Sequence, residues 1–402
     1  MYFTKILCSL LMGQVFYEEG DHQKARTYLM EAENLVQRSG SVSLEYMCLI
    51  REAQFCLDGE GEVKRQGLEA LRKAMELGKK HRYTDLFPWW QPSVMAHLCA
   101  RALVEGITVD YAQSLIRKHH LIPDEPPLDI ENWPWPLRVH TLGKFEILRN
   151  ERPIQSHGKV QKKPLLLLKA LIALGGEEIT EEQLSDMLWP DADGDQAHSA
   201  FTTNLSRLRQ LMGLEKALRL QERKTTLDHR YCWVDAWAFE RIVGQAAAAW
   251  NECGQPGESD PLSKKDIAKA VRLTEKALGM YKGHFLPADE AHFWTTSYRD
   301  RLKNKFHRLV MRAGDYFEEA GPLEKAVEYY ERGIEVDSLA EELYQHLMTS
   351  YFKLGQWMEG IRAYNRCKKM LSASMGIEPS PKTQALYRSL TGNIRIQKKD
   401  RA

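Results

Sequence analysis

The 402-residue chain is 43% hydrophobic and can bury two or three ordinary cores, because single domains usually run to roughly 100 to 200 residues. Its 56 basic residues are balanced by 55 acidic ones, which excludes an overall polycation, so any surface that binds nucleic acid must be local. The seven cysteines form no CxxC pair, which is typical of isolated thiols in a reducing compartment. Because the sequence shows neither a signal peptide nor an apolar run of about 20 residues, we expect a cytoplasmic protein with no membrane partner.

A helical repeat is expected in residues 1–122 and again towards the C-terminus. Its pattern is an aromatic residue, a glycine four positions later, and then small residues where two helices must approach closely. Two copies lie 34 positions apart, which is the period of a tetratricopeptide (TPR) helix hairpin. The three copies are Phe16, Gly20, Ala25, Leu29 and Ala32; Phe317, Gly321, Ala326, Tyr330 and Gly333; and Tyr351, Gly355, Gly360, Tyr364 and Cys367.

Two segments are predicted to interrupt the helices. Five prolines between Pro123 and Pro136 remove backbone donors, so residues 123–137 are interpreted as a proline-rich linker. The Gly, Pro and Ser content of the run from Gly244 to Pro261 predicts a loop. With these breaks we expect units at residues 1–122, 138–235 and 236–393, followed by a tail at 394–402.

The middle unit has a different pattern. The broken alternation of RVHTLGKFEIL at 138–148 predicts short strands of a small antiparallel sheet. Pro164 then opens an apolar helix that Gly175 and Gly176 end. Thr180 and Gln183 have the spacing of a capping box at the start of the next helix.

A third helix, at about residues 197–212, carries the candidate binding residues. Phe201, Leu205, Leu208 and Met212 form one apolar stripe that docks this helix on its own domain. The opposite side presents hydroxyls, an amide and arginine, with no acidic residue between Gln196 and Leu214. Such side chains can bond phosphates and base edges. The outward residues are Ser199, Thr203, Ser206, Arg207 and Gln210, with Thr202 and Arg209 on the flanks.

Residues 218–234 predict a hairpin with a basic tip at Arg223 and Lys224. Between Gln196 and Cys232, seven basic residues oppose three acidic ones, a local surplus of four that the neutral chain conceals. A sheet, two helices, an acid-free helix and a basic hairpin follow the order of a winged helix-turn-helix, whose recognition helix enters the major groove.

Longer stretches carry a family resemblance. The segments QLSDMLWPD at 183–191 and NLSRLRQLMG at 204–213 resemble the OmpR-type winged helix. The segments DAWAFERIV at 235–243, LYQHLMTSYFKLGQWMEGIRAYNRCKKML at 343–371 and GIEPSPKTQALYRSL at 376–390 resemble the bacterial transcriptional activator domain (BTAD) that accompanies it in SARP-type activators. The resemblance implies DNA contacts by Ser199, Thr202, Thr203, Asn204, Ser206, Arg207 and Arg209, and by Arg223 and Lys224 of the wing.

Other chemistries have little support. The DADGD run at 191–195 fails as a calcium loop, because the sixth position is Gln196 rather than glycine and the twelfth is Thr202 rather than glutamate. In the resembling family this loop can meet RNA polymerase. The sequence has no P-loop, HExxH motif or nucleophile elbow, so we expect neither an enzyme nor a bound metal or cofactor.

The predicted fold is therefore mainly α with a small α+β winged helix, flanked by TPR-like helical repeats. The leading hypothesis is a transcription regulator, of the activator type, that binds double-stranded DNA. Its helical repeats would mediate self-association or contact protein partners such as RNA polymerase. The alternative is a TPR-type scaffold whose winged helix docks protein rather than DNA.

Overall fold

The computed structural model describes residues 2–85, 90–123, 125, 127–154, 162–253, 264–289 and 292–400. Sixteen α-helices and seven short β-strands occur in these ranges, which confirms the predicted fold class of helical hairpins with a small α+β module. The chain divides into two compact units, residues 1–136 and residues 137–402. No helix within the described ranges is long and apolar enough to cross a membrane.

The N-terminal unit consists of helix hairpins. Its repeat residues occupy the expected places, because Gly20 turns the chain with φ +84° while Ala25, Leu29 and Ala32 are buried. The Phe16 ring stacks on Tyr28 at 5.5 Å between centroids. The helices are α1 (Tyr2–Glu18), α2 (His22–Ser39), α3 (Val42–Leu57), α4 (Gly61–His81), α5 (Pro92–Val104) and α6 (Val109–His119).

The proline-rich segment that follows α6 contains neither helix nor strand among its described residues, as the prolines predict. It is nevertheless packed, since Leu128 and Ile130 are buried and the Gln113 amide of α6 donates to the Asn132 carbonyl at 2.8 Å. The segment belongs to the first compact unit up to Pro136.

The second unit begins with a module of two small sheets and three helices. One sheet has the order β3-β2-β1-β7 and the other the order β4-β6-β5. The elements are β1 (Leu137–His140), β2 (Glu146–Arg149), β3 (Arg152–Pro153), α7 (Lys162–Ala173), β4 (Ile179–Thr180), α8 (Glu181–Leu188), α9 (Gly194–Met212), β5 (Leu218–Gln221), β6 (Lys224–Leu227) and β7 (Cys232–Val234).

Local sequence explains how the module turns. Gly175 and Gly176 take φ +96° and +79° after α7, a region that glycine enters without steric cost. A Cβ on Gly176 would lie 2.4 Å from the Trp237 ring, so this turn also needs glycine for space. Thr180 accepts from the Gln183 amide and Gln183 accepts from Thr180, which is the predicted capping box.

The C-terminal part consists of paired helices that complete the same compact unit. The repeat residues again lie at the contacts between helices: Gly355 turns the chain with φ +72°, while Ala326, Tyr330 and Cys367 are fully buried. The helices are α10 (Asp235–Glu252), α11 (Lys264–Met280), α12 (Phe293–Ala320), α13 (Leu323–Val336), α14 (Glu341–Lys353), α15 (Trp357–Met375) and α16 (Pro381–Asp400).

The loop predicted from Gly244 to Pro261 is wrong in its first half, since α10 continues to Glu252. Four consecutive alanines favour a helix, and the burial of Ala246, Ala249 and Trp250 stabilises it. Together these effects outweigh the low helix propensity of Gly244. Residues 254–261 lie outside the described ranges.

Candidate nucleic-acid interface

Helix α9 has one face docked on its module and one face exposed. Phe201, Leu205, Leu208 and Met212 are buried, as their spacing predicts. Asp193 caps the helix by accepting from the Gln196 amide at 2.8 Å. From the second turn onward the exposed face carries Ser199, Thr202, Thr203, Ser206, Arg207 and Gln210, and the first turn exposes Asp195, Gln196 and His198.

Two of these residues differ in how free they are to bind a ligand. The Thr202 hydroxyl donates within its own helix, to the carbonyls of His198 at 2.9 Å or Ser199 at 3.2 Å. Arg207 makes no hydrogen bond or ion pair with any residue that the structure describes. Its guanidinium is therefore the cation on this face with all its donors open.

Two other predicted contact residues are placed differently. Asn204 is 4% exposed and its amide donates to the Ala200 carbonyl at 2.7 Å, so its side chain does not lie on the outward face. Arg209 is half-buried and its Nε donates to the Leu218 carbonyl of β5 at 3.1 Å. Arg209 thus links the end of α9 to the hairpin.

The hairpin of β5 and β6 has a two-residue turn at Glu222 and Arg223. Both residues have positive φ, +48° and +61°, as a type I′ turn requires. This turn matches the twist of the strands and holds Arg223 at the tip, with 77% of its side chain exposed. Lys224 is 45% exposed and pairs with Glu178 at 3.1 Å.

Glu181, the first residue of α8, connects the hairpin tip to α9. Its carboxylate is 7% exposed and lies 2.5 Å from His198 Nδ1 and 3.3 Å from Arg223 Nε. Burial by itself raises the Glu181 pKa, but the hydrogen bonds from His198 and Arg223 outweigh it and lower the pKa below its usual value. Sequence spacing gives no sign of this connection, because Glu181 and Arg223 are 42 residues apart.

The positive surface is smaller than the count of charges suggests. Asp228 is buried and pairs with Arg230 at 2.7 Å and with Arg219 at 3.4 Å. Two of the seven cations are therefore occupied by a structural carboxylate. The cations that α9 and the hairpin tip present to solvent are Arg207, Arg223 and Lys224.

A second cluster of ionisable side chains joins α12 to α14. Asp315, Glu318 and His346 bring potential metal-ligand atoms within 4.8 Å of one another, the only such group among the residues described. The Tyr330 hydroxyl lies 2.9 Å from Asp315, and Lys353 donates to Glu318 at 3.0 Å. Since Tyr330, Lys353 and His346 already bond these carboxylates, we interpret the cluster as a hydrogen-bonded network that holds two hairpins together.

The fold and this face define a class of chain: helix hairpins joined to a small module that presents a helix without acidic residues after its first turn, beside a basic hairpin tip. Residues 234–391 match the family model of the bacterial transcriptional activator domain. The match covers the helices that follow β7 and supports the resemblance to SARP-type regulators.

Two curated relatives are similar to a longer part of the chain. Regulatory protein AfsR of Streptomyces griseus is 24% identical over 254 residues, which are 63% of this chain and 24% of that protein. Regulatory protein AfsR of Streptomyces coelicolor gives the same figures. This chain therefore spans about a quarter of the length of the curated relatives it matches.

Among solved structures, that of Mycobacterium tuberculosis EmbR in complex with a low-affinity phosphopeptide is similar in fold. It matches 64% of this chain and 65% of that one, at 19% identity and a TM-score of 0.48.

Proposed function

We propose that this protein is a transcription regulator of the SARP type that binds double-stranded DNA through an OmpR-type winged helix-turn-helix at residues 138–235. In this proposal α9 enters the major groove and the hairpin of β5 and β6 is the wing. The observation that carries the proposal is the outward face of α9 from Ser199 to Gln210, where hydroxyls stand beside the open Arg207 guanidinium; the one acidic residue of α9, Asp195, lies in its first turn.

The residues divide by role. Arg207 is placed to bond a guanine edge or a phosphate, while Ser199, Thr203 and Ser206 can bond phosphates or base edges. Thr202 is exposed at the flank. Arg223 and Lys224 at the wing tip exchange their ion pairs with Glu181 and Glu178 for phosphates of the adjacent backbone. Because those exchanges cost existing ion pairs, Arg207 contributes more to affinity than either wing residue.

Two residues that the sequence predicts as DNA contacts, Asn204 and Arg209, have structural roles in this proposal. Asn204 packs inside the module, and Arg209 holds the wing strand through the Leu218 carbonyl. Both therefore act on DNA binding through the shape of the module. The matched activator domain at 234–391 supports the regulatory role, with its hairpins available for self-association or for contact with protein partners such as RNA polymerase.

Selection from random duplex DNA at two salt concentrations tests the proposal. Base readout enriches a motif, whereas phosphate contacts alone weaken steeply with salt and enrich none. One position of the enriched motif is expected to lose its base preference in Arg207→Ala, and the whole motif is expected to persist in Arg272→Ala, which removes an exposed arginine from α11. Failure to retain DNA at either salt would favour the alternative, a scaffold whose winged helix docks protein.

A further inference from the structure

A second cationic, acid-free helix segment lies in the C-terminal part, outside the proposed DNA interface. Between Arg301 and Gly314, helix α12 contains five arginines and lysines and no acidic residue. Arg301, Lys305, Arg308 and Arg312 follow one another at intervals of four, three and four residues, so they lie along one face of the helix.

This face forms one wall of a groove between α10 and α12, with a volume of about 580 Å³. The floor is apolar and formed by Val243, Trp250 and Leu309, all buried. The opposite wall is the small side of α10 at Gly244 and Ala247. A Cβ added at Gly244 would meet no atom within 4 Å, so the groove is open at this point.

The charges along the groove are unevenly satisfied. At one end Glu240 accepts from Lys305 and lies 3.3 Å from Arg301, so a single carboxylate offsets part of the charge of these two cations. At the other end the Arg312 guanidinium donates to the Trp250 carbonyl over a long distance, 3.5 Å, among the residues that the structure describes. Arg308 makes no hydrogen bond or ion pair within the described part of the chain. Two guanidinium groups thus stand beside an apolar floor with donors to offer.

We propose that this groove binds an acidic peptide segment of a partner protein, with carboxylates on Arg308 and Arg312 and an apolar side chain on the floor. The stretch from Lys305 to Arg312 is about 10 Å long at 1.5 Å per residue, which matches about three to four residues of an extended peptide. Guanidinium groups bind carboxylates in a bidentate geometry, which gives such a segment direction as well as charge.

The groove fits a peptide better than nucleic acid. A duplex presents phosphates but no apolar side chain that could enter the floor of the groove. An apolar floor between two helices gains free energy only from a side chain that enters it. The proposal does not depend on DNA binding by α9, and its tests leave that surface unchanged.

Binding of fluorescein-labelled peptides to the full chain tests whether Arg308 and Arg312 bind the carboxylates of a peptide. The peptides carry one Leu or Phe between Glu and Asp residues, and their counterparts carry Gln and Asn instead. We expect the acidic peptides to bind more tightly, to weaken with salt, and to lose at least about tenfold in affinity in Arg308→Glu with Arg312→Glu. Arg272→Glu on α11 is the matched control and is expected to bind as the unchanged chain does.

A steric variant tests the groove without altering charge. Gly244→Leu is expected to fill the groove and abolish peptide binding, since the added side chain meets open space rather than a neighbouring helix. Gly279→Leu on α11 is the control, because a Cβ at Gly279 also meets nothing within 4 Å. Thermal unfolding of each variant checks that the fold persists.

Equal affinity for acidic and neutral peptides would overturn the proposal, as would unchanged binding in both the charge variant and Gly244→Leu. Loss of duplex DNA binding in Arg308→Glu with Arg312→Glu, without selective binding of acidic peptides, would instead assign this face to nucleic acid.

Discussion

Replacing Arg207 and Arg209 one at a time separates DNA recognition from support of the wing. The two arginines are two positions apart on α9 and look equivalent in the sequence. In the structure Arg207 is exposed and makes no polar contact with the described residues, whereas Arg209 donates from Nε to the Leu218 carbonyl at 3.1 Å. Arg207→Ala is therefore expected to lower mainly DNA affinity, and Arg209→Ala mainly the free energy of unfolding.

The magnitudes follow from these contacts. Arg207→Ala removes no internal interaction, so the free energy of unfolding should change by less than about 0.5 kcal/mol. If the side chain bonds a base edge, DNA binding should weaken by about 1 to 3 kcal/mol. Arg209→Ala removes a charge-assisted hydrogen bond and the packing of a half-buried stem, which should cost about 1 to 2 kcal/mol of stability. Its effect on DNA affinity should be smaller than that of Arg207→Ala.

Urea unfolding followed by tryptophan fluorescence gives the stability of each variant. Fluorescence anisotropy with the selected duplex gives its affinity, and repeating the titration at two salt concentrations separates phosphate contacts from base contacts. If Arg207→Ala binds DNA as tightly as the unchanged chain does, the assignment of α9 as the recognition helix is refuted. Equal losses of stability in both variants would refute the placement of Arg207.

Three further substitutions probe the framework. Glu181→Gln should lower stability by about 1 to 2 kcal/mol at pH 7. The pKa of Glu181 is lowered in the folded chain, so its carboxylate stops stabilising the fold as the pH falls through that lowered pKa. The difference in stability between Glu181→Gln and the unchanged chain should therefore vanish in urea titrations below pH 4. Asp235→Ala should cost about 3 to 5 kcal/mol in the same assay, since it leaves buried amides and the Thr141 hydroxyl without an acceptor. The hydrogen bond to Glu318 raises the pKa of His346 in the folded chain. Protonated His346 therefore stabilises the fold below pH 6.5, and this stabilisation is lost as the pH rises through the raised pKa. In His346→Gln, the free energy of unfolding should differ less between pH 6 and pH 8 than it does in the unchanged chain.

Regular periodicity allowed much of the fold to be predicted from the sequence. The apolar stripe of α9, the capping box at Thr180 and the turn glycines Gly20 and Gly355 all lie where their local chemistry requires. These features depend on residues close together in the chain, and the structure confirms them. The error at Gly244 arose because tertiary burial of α10 outweighs a loop-like composition.

The candidate site was less predictable, because side-chain direction depends on partners far away in the chain. Nothing in the sequence near Asn204 shows that its amide turns back to the Ala200 carbonyl. Likewise, Glu181 and Arg223 are 42 residues apart, and only the hairpin brings them together. A count of charges cannot separate the open Arg207 from cations that a buried carboxylate already holds.

Asp235 explains why residues 137–402 form one compact unit even though the sequence divides them near this position. Its carboxylate begins α10 and accepts from the Thr141 amide at 2.8 Å, the Thr141 hydroxyl at 2.6 Å and the Leu142 amide at 3.0 Å. The Leu286 amide in turn donates to the Thr141 carbonyl at 2.9 Å. One buried carboxylate thus fixes the loop after β1 to the first helix of the activator domain. β7 runs directly into that helix at Asp235, so the sheet of β1 and β7 and the C-terminal hairpins share one continuous stretch of chain.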